Sequence, residues 1–580
     1  MRSLKKTTIK MNPEKIKYGF YVFDTETTCL EPMPKNFVFG VIYGYNYHKV
    51  INSIKDFKDE FEKERYKGKY IFAHNAEFDL LTIFGNIIKH IDNSAVFNGK
   101  FITAKYKQVT FGDSMNIYPT SVAKIGEMLG SLKHENIKVK AEGLTKKNIT
   151  QEDIDYCIQD CKIVYDALKE IFETIGDIKL TLASLAMYQF RTKYLPTDIV
   201  FNETVDEFYE SYYGGRTEAF HIGKVQADVY DINSMYSKAM LDCVFPDIKH
   251  LKKEIMIDVK YLLFLMENYE GLAKVKVHHK DTYFGYLPVR MEVNKAEKLV
   301  FPVGTFTTIV NFNELSYAVN QGVVEILDVE YAVFANPMES PFKTFINDNY
   351  KLKSESQNKL KATIHKNIMN SLYGRFAMKM KLQTTYYENL PFDIVKELQI
   401  DEKFYELKLF NKDRNDCYLI TENEKMKASF FSIPTFSSYI TSHARIELLK
   451  NLVANENNGV YYCDTDSIFI GGLFSGAISD LVGDFKKEEK NILEIRGLKN
   501  YTYINEQGKT VNVIKGISKS STQRIGTKVP TFETKKYIKT KQAIAQDKEA
   551  GQSYIMVKEL KHEYDKRIVN IDGTTKPIKL

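Results

Sequence analysis

The segment Tyr461-Tyr462-Cys463-Asp464-Thr465-Asp466-Ser467-Ile468-Phe469-Ile470 constrains this chain more than any other. Apolar residues run up to two acids and apolar residues follow, which predicts a buried β-hairpin with Asp464 and Asp466 at its tip. Residues two apart on an extended strand point to one side, so the two carboxylates share one small volume. Bare carboxylates that close raise each other's pKa. A divalent cation relieves the repulsion, and Mg²⁺ favours a few carboxylates plus substrate phosphates over an all-protein cage. Taken alone, Asp and Ser also make ordinary polar turns, so the reading depends on what else the chain carries.

With 580 residues the chain exceeds what a single core organises, and several domains are expected. A net charge of +6 is mild for that length, so the distribution of charge matters more than its sum. Six cysteines (Cys29, Cys157, Cys161, Cys243, Cys417 and Cys463) form no Cys-x-x-Cys pair and complete no zinc or iron–sulfur site. Reduced thiols are expected. The basic N-terminus lacks the apolar core of a signal peptide, and no apolar run approaches the roughly 18 residues of a membrane span. These features lead to the expectation of a soluble, cytoplasmic protein without a membrane contact.

Acid-ended strands recur. Residues 19–28, GFYVFDTETT, read as a strand ending in Asp24 and Glu26. Residues 69–79, KYIFAHNAEFD, read as a second strand running into a helix with Asp79 near its start. In 149–169 the pattern is helical, with Tyr156 and Asp160 four apart on one face. Together they suit a two-metal hydrolytic site, in which one cation activates water and the other stabilises the leaving oxygen, with Tyr156 orienting the water.

Further along, Tyr212-Tyr213-Gly214-Gly215-Arg216 sets a glycine pair, which permits close backbone approach, before a cation that suits a phosphate; a plain turn fits as well. Residues 227–237 form another strand ending in an acid, Asp231, followed by a helix start whose amides suit a triphosphate. Tyr236 is placed to lie under a deoxyribose. The basic helical stretch 347–381 carries Lys366, Asn370 and Tyr373 at i, i+4 and i+7, on one face, with Gly374 behind them. A cation, an amide and an aromatic on one stripe suit a triphosphate, a base edge and a sugar. No chemistry reads from 245–345. Near the C-terminus Lys515, Lys519, Arg524, Lys528, Lys535, Lys536, Lys539 and Lys541 face only Glu533, a run suited to phosphates.

These segments carry a resemblance. Asp24-x-Glu26, Asn75-x-x-Phe78-Asp79 and Tyr156-x-x-x-Asp160 resemble the three motifs of proofreading 3′–5′ exonucleases. That implies an RNase H-like sheet, a metal set of Asp24, Glu26, Asp79 and Asp160 with Tyr156, and contacts from Thr27, Asn75, Phe78 and Ser114 to a single-stranded 3′ end. Tyr212-x-Gly214-Gly215 resembles the template-contacting junction motif of family B DNA polymerases, with Arg216 beside it. Asp231-x-x-Ser234-Met235-Tyr236-Ser237 resembles motif A, with Met235 for Leu and Ser237 for Pro; the serine is expected to loosen the turn. Lys366-x-x-x-Asn370-Ser371-Leu372-Tyr373-Gly374 matches motif B without a mismatch, and Tyr462-x-Asp464-Thr465-Asp466-Ser467 matches motif C. Thr441-x-x-x-Arg445 resembles a further polymerase-site segment. Lys499-x-Tyr501 resembles the Lys-x-Tyr motif whose lysine holds the primer terminus, with Tyr501-Thr502-Tyr503 as the competing register. Lys515 joins the DNA-binding set.

The resemblance implies an α/β multidomain chain: an RNase H-like exonuclease domain over 1–190, then a right-hand polymerase. Its palm would span 191–260 and 431–490, its fingers 346–379 and its thumb 491–580, with insertions at 261–345 and 380–430. Asp231 and Asp466, supported by Asp464, would hold two Mg²⁺ ions per active site, with Mn²⁺ as a substitute. The 135 residues from Asp231 to Lys366 and the long interval from motif B to motif C resemble the protein-primed branch of phages and linear plasmids. In that branch the first insertion binds a terminal protein primer, and the second encloses the DNA for processive strand displacement. The implied partners are template-primer DNA, dNTPs, a terminal protein and a single-stranded DNA-binding protein, acting on a monomer. The competing readings are a conventionally primed family B polymerase, a stand-alone nuclease, and a non-catalytic binder that stacks bases on its tyrosines.

Overall fold

The structure is a computed structural model that describes residues 1–9, 12–85, 92–97, 100–130, 143–379, 384–387, 391–400, 405–409, 418–422, 431–517, 521–524, 526–527, 529–546, 548–560 and 564–580. Lys381, Leu382, Cys417, Lys519 and Lys528, and with them much of the second insertion, lie outside the described residues.

A seven-stranded mixed sheet forms the N-terminal unit, in the order Tyr47–Ile51, Phe37–Gly44, Phe20–Thr27 (β1), Tyr70–Ala73, Val109–Asp113, Lys100–Tyr106, Asp92–Phe97. β1 and Val109–Asp113 flank Tyr70–Ala73 in parallel, and the other pairs are antiparallel. Parallel strands are buried on both faces, which is why β1 reads as a nearly unbroken apolar run until its acids. The chain enters helix α1 (Ala76–Phe84) through Asn75 at φ 71°, a left-handed geometry that asparagine tolerates better than most residues. Helix α2 (Gln151–Ile175) opens with a reciprocal Thr150–Asp153 capping box. It buries Cys157, Cys161, Val164, Leu168, Ile171 and Phe172, one stripe at helical spacing, in the core that also holds Phe20, Val41 and Phe72. A second core on the other side gathers Phe23, Phe57, Phe61, Tyr66 and Phe111.

The acids of the opening segment sit in a second, antiparallel sheet of seven strands. Its order is Thr217–Ala219, Val460–Asp464 (β3), Ser467–Ile470 (β4), Gly223–Ile232 (β2), Phe485–Gly497 (β5), Asn500–Asn505 (β6), Thr510–Ile514. β5 pairs with β2 from Ile495 to Phe485, so the sheet runs across residue 490. Packed with it are helices α3 (Met235–Asp242), α4 (Lys359–Phe376) and α5 (Pro434–Ala454). α5 is buried nearly all round, and its serines meet partners from distant elements: Ser438 joins Ser211 and Asn311 in one buried network.

Between α3 and α4 the chain builds a separate four-stranded sheet, Lys252–Ile255, Val324–Ala335, Glu270–His279, Gly304–Asn311, of which three strands fall within 261–345. Strand Thr531–Tyr537 (β7) lies between Thr522–Arg524 and Ser553–Glu559. The last strands, Arg567–Val569 and Thr575–Pro577, return to this second sheet, where Arg567 is buried against Glu218.

Candidate active sites

The β3–β4 hairpin turns in two residues. Asp464 pairs with Ser467, and Thr465 takes φ 66°, a strained geometry for a β-branched residue. Two neighbours hold it there. The Thr465 N–H donates to the Arg216 carbonyl at 2.7 Å, and Gly215 lies so close that a Cβ on it would come within 2.6 Å of Thr465 Cγ2. The glycine pair thus shapes the hairpin tip from behind. Asp231, near the end of β2, faces Ser467 across the ladder, and the Ile232 N–H donates to the Asp466 carbonyl at 2.7 Å. Three carboxylates from two strands and a turn converge.

Their electrostatics are those of a site prepared for a cation. Burial, then Asp466 and Glu488, push Asp231 up to about 7, against Lys490 and Lys366. Burial first and Asp464 further along raise Asp466, with Lys499 and Lys366 opposing. Lys499 Nζ sits 2.6 Å from Asp464 Oδ2, and the Lys499 N–H donates to the Tyr462 hydroxyl at 3.0 Å. The register Lys499-x-Tyr501 thus brings its lysine to the acids, while Tyr501 packs edge-on against Phe469 at 5.2 Å. Crowded carboxylates whose charged forms are disfavoured, with cations at the margin, fit a divalent metal.

Helices α3 and α4 flank these acids, and both of their tyrosines feel Asp466. Tyr236 stacks on Tyr373 at 4.2 Å and 24°. Burial pushes the Tyr236 phenol up to about 12. Beside them the buried Ser237 hydroxyl donates to Asn370 Oδ1 at 3.1 Å. The turn is not loosened by this serine as expected: Ser237 lies inside α3 and ties it to α4. Lys366 is exposed on the same helix face, and burial followed by Lys366 lowers the pKa of Lys353 nearby. Ser234 holds φ 53° at the start of α3, Gly374 is exposed, and Lys515 is exposed just past Thr510–Ile514.

Four expected DNA contacts are corrected by burial. Arg216 is 1 % exposed and gives its guanidinium to Glu218 (2.6 Å) and the Gly285 carbonyl (2.8 Å), with Arg567 on the other side of Glu218. Arg445 forks onto Glu314 at 2.8 and 2.7 Å and donates to the carbonyls of Tyr213 (3.0 Å) and Gly214 (3.1 Å). It shapes the glycine turn and reaches no surface. Thr441 is buried in α5 and bonds back to the carbonyls of Ser437 and Ser438. Ser114, fully buried, donates to the Ala73 carbonyl at 3.0 Å and meets His74. Tyr212 and Gly214 do stay at the site: Gly214 is exposed, and burial followed by Tyr373 pushes the Tyr212 phenol up to about 12.

In the N-terminal unit, ligand atoms of Asp24, Glu26 and Cys157 lie within 4.8 Å of one another. Asp79, in the first turn of α1, accepts from the Thr25 N–H (3.0 Å) and Oγ1 (2.7 Å). Burial and then Asp24 hold its carboxyl well above the usual range. Burial first, then Asp24, Asp160 and Asp79, push the Cys161 thiol up to about 11, so all three acids surround one point of α2. Tyr156 is half-buried on α2, one residue before Cys157. Thr27 and Phe78 are half-buried, Thr27 with its hydroxyl on the Cys29 carbonyl at 2.6 Å. One acid went unread: Asp113 accepts from the backbone N–H of Asn75 (3.0 Å) and Met115 (2.9 Å) and so fixes the entry to α1.

The family of "DNA polymerase type B, organellar and viral" matches residues 127–453. The chain is 26% identical over 541 residues to the DNA polymerase of Streptococcus phage Cp-1, covering 84% of this chain and 88% of that protein. It is 27% identical over 381 residues to a probable DNA polymerase of Neurospora intermedia; 62% of this chain and 37% of that one are covered, so the match spans little more than a third of that relative. Phi29 DNA polymerase complexed with single-stranded DNA superposes with a TM-score of 0.66 at 16% identity, over 93% of this chain and 100% of that one. The ternary complex of Phi29 DNA polymerase with primer-template DNA and incoming nucleotide gives 0.65 at 16% identity, over 94% and 99%. These likenesses show the expected α/β multidomain fold. Among the described residues no helix is long and apolar enough to cross a membrane. The chain belongs to the type B DNA polymerases, organellar and viral.

Proposed function

We propose that the chain is a DNA-directed DNA polymerase that extends a primer on a template from dNTPs and edits with a 3′–5′ exonuclease in its N-terminal unit. The observation that carries this reading is the convergence of Asp231, Asp464 and Asp466 beside Lys366, Asn370 and the Tyr236–Tyr373 stack. The chemistry that a pair of Mg²⁺ ions, or Mn²⁺ in their place, would supply there is activation of the primer 3′-oxygen and neutralisation of the triphosphate charge, and Asp231, Asp464 and Asp466 are the residues that would hold it. Lys366 adds positive charge toward the phosphates, Asn370 presents its amide from a position fixed by Ser237, and the stacked tyrosines form the wall against which a deoxyribose rests. In the N-terminal unit Asp24, Glu26, Asp79 and Asp160 would hold a second pair, with Tyr156 to orient water and Thr27, Asn75 and Phe78 to receive the strand end.

Priming from a terminal protein is part of the proposal. Supporting it is a first insertion that carries three strands of a separate sheet and most of the helix Val259–Asn268, on which Leu263 and Phe264 are exposed. The second insertion is assigned to strand displacement. Mg²⁺-dependent extension of a primed single-stranded circle without accessory proteins tests the reading. Products many times the circle's length support a processive, strand-displacing enzyme of the protein-primed kind. Products ending at one lap favour the conventionally primed alternative, and no incorporation overturns the polymerase reading for a DNA primer.

A further inference from the structure

Three helices are joined by a line of buried polar side chains that no part of the proposed chemistry uses. His365 stands on α4, Asn349 on the helix Lys343–Glu355, and Gln189 closes the helix Leu182–Gln189; all three are buried. His365 Nδ1 lies 2.9 Å from Asn349 Oδ1, and Asn349 Nδ2 donates to Gln189 Oε1 at 3.2 Å and to the Phe345 carbonyl at 2.8 Å. The Phe345 carbonyl fixes the direction of the whole line. A backbone oxygen only accepts, so the Asn349 amide nitrogen faces it and the Asn349 oxygen faces the ring. His365 Nδ1 therefore carries the proton and donates. Burial, followed by Lys193 and Lys361, lowers the pKa of the ring and keeps it neutral, in the tautomer that this bond selects.

We propose that His365 is a positioning residue for the nucleotide face of α4, setting the direction in which Lys366 points. Successive residues of a helix stand about 100° apart, so an inward bond from His365 fixes the azimuth of the exposed Lys366 beside it. Asn370 and Tyr373 follow on the same face. The C-terminal half of α4 is held by the Ser237–Asn370 bond and the Tyr236–Tyr373 stack. Its N-terminal half touches the N-terminal unit, where Lys361 meets Glu170 at 3.2 Å and the Thr363 hydroxyl meets Met128 Sδ at 3.6 Å. A solvated ion pair and a weak sulfur acceptor hold a helix loosely. The buried, directional bond of His365 is the stricter constraint, and it falls one residue from the lysine. Its removal takes the donor from a buried amide oxygen, which costs more than the bond itself is worth. The inference rests on the reading of Lys366 as the cation that meets the triphosphate.

Steady-state single-nucleotide addition by the full chain reads KM for dNTP and kcat separately. His365→Leu is expected to raise KM about fivefold or more with kcat nearly unchanged. Rescue tells a hydrogen bond from filled space, because an asparagine amide nitrogen falls where Nδ1 was and a glutamine amide nitrogen falls near Nε2. His365→Asn should therefore return KM most of the way, and His365→Gln should not. Asn349→Leu should raise KM alike, and the double variant His365→Leu/Asn349→Leu should be no worse than either single one. Melting temperature and degradation of single-stranded DNA report folding; should His365→Leu fail to fold, the pair His365→Asn and His365→Gln still decides. A lower melting temperature with KM unchanged in His365→Leu and Asn349→Leu, or equal KM in His365→Asn and His365→Gln, would overturn the proposal. Lys366→Ala separates the two readings. A KM unmoved by it removes the triphosphate role and the proposal with it, whereas a KM that rises with Lys366→Ala but not with His365→Leu keeps the role and overturns the positioning alone.

Discussion

Ser237 Oγ lies 3.1 Å from Asn370 Oδ1, one residue along from the 4.2 Å stack of Tyr236 on Tyr373. Helices α3 and α4 are thus joined twice, once by rings and once by a hydroxyl that no proline supplies. With its oxygen occupied, the Asn370 amide turns its N–H₂ group away from Ser237. Ser237→Ala removes one neutral hydrogen bond, about 0.5–1.5 kcal/mol. The expected result is a 2- to 12-fold rise, approximately, in KM for dNTPs with kcat nearly unchanged; steady-state single-nucleotide addition measures both.

The two acid sets lie in separate sheets, so they should fail separately. Asp466→Ala is expected to abolish synthesis and leave 3′–5′ degradation, and Asp24→Ala to do the reverse. Primer-extension and single-strand degradation assays on both variants check this; joint loss in either variant would contradict the division.

Asp231 gives the metal-free protein a pH dependence. Its folded pKa, about 7, lies above the ordinary 3.8, so the folded chain keeps a proton that the unfolded chain has lost. Stability then falls as pH rises from about 4 toward 7 and levels off above. In EDTA the melting temperature should be lower at pH 8 than at pH 5, Mg²⁺ should raise it mainly at pH 8, and Asp231→Asn should lessen the dependence, leaving the part set by Asp466, Asp79, Asp113 and Glu270, whose carboxyls burial also raises. Thermal unfolding across pH, with and without Mg²⁺, provides the check.

Arg445 and Glu314 form a buried fork, both under 4 % exposed. Arg445→Met strands the Glu314 carboxylate and is expected to cost about 3–5 kcal/mol, because an unpaired buried charge is worse than none. Thermal unfolding should show a large loss, and adding Glu314→Leu should recover most of it.

The sequence was legible where a period and a chemistry coincide. Asp464 and Asp466 came from the two-residue period of a strand, and Lys366, Asn370 and Tyr373 from the turn of a helix; the helix is present, whereas Asp466 stands in the two-residue turn of the hairpin and not on an extended strand. Arg216 and Arg445 were misread because a buried cation and a phosphate-binding one look alike in one dimension. For Arg216 the signal existed, since its partner Glu218 is only two residues on. For Arg445 the partner, Glu314, is 131 residues away and no local pattern announces it. Asp113 closes a strand as Asp24 nearly does and was passed over for want of a second acid.

The bond from Thr540 to Glu77 spans 463 residues of chain. At the pace of synthesis, about 5–20 residues per second, roughly 25–90 s separate the emergence of the acid from that of its donor. Hairpins and helices form in microseconds, so α1 is complete long before its cover exists. Each new molecule therefore passes through an adolescence in which the N-terminal sheet stands folded with Glu77 facing water and Phe78 bare.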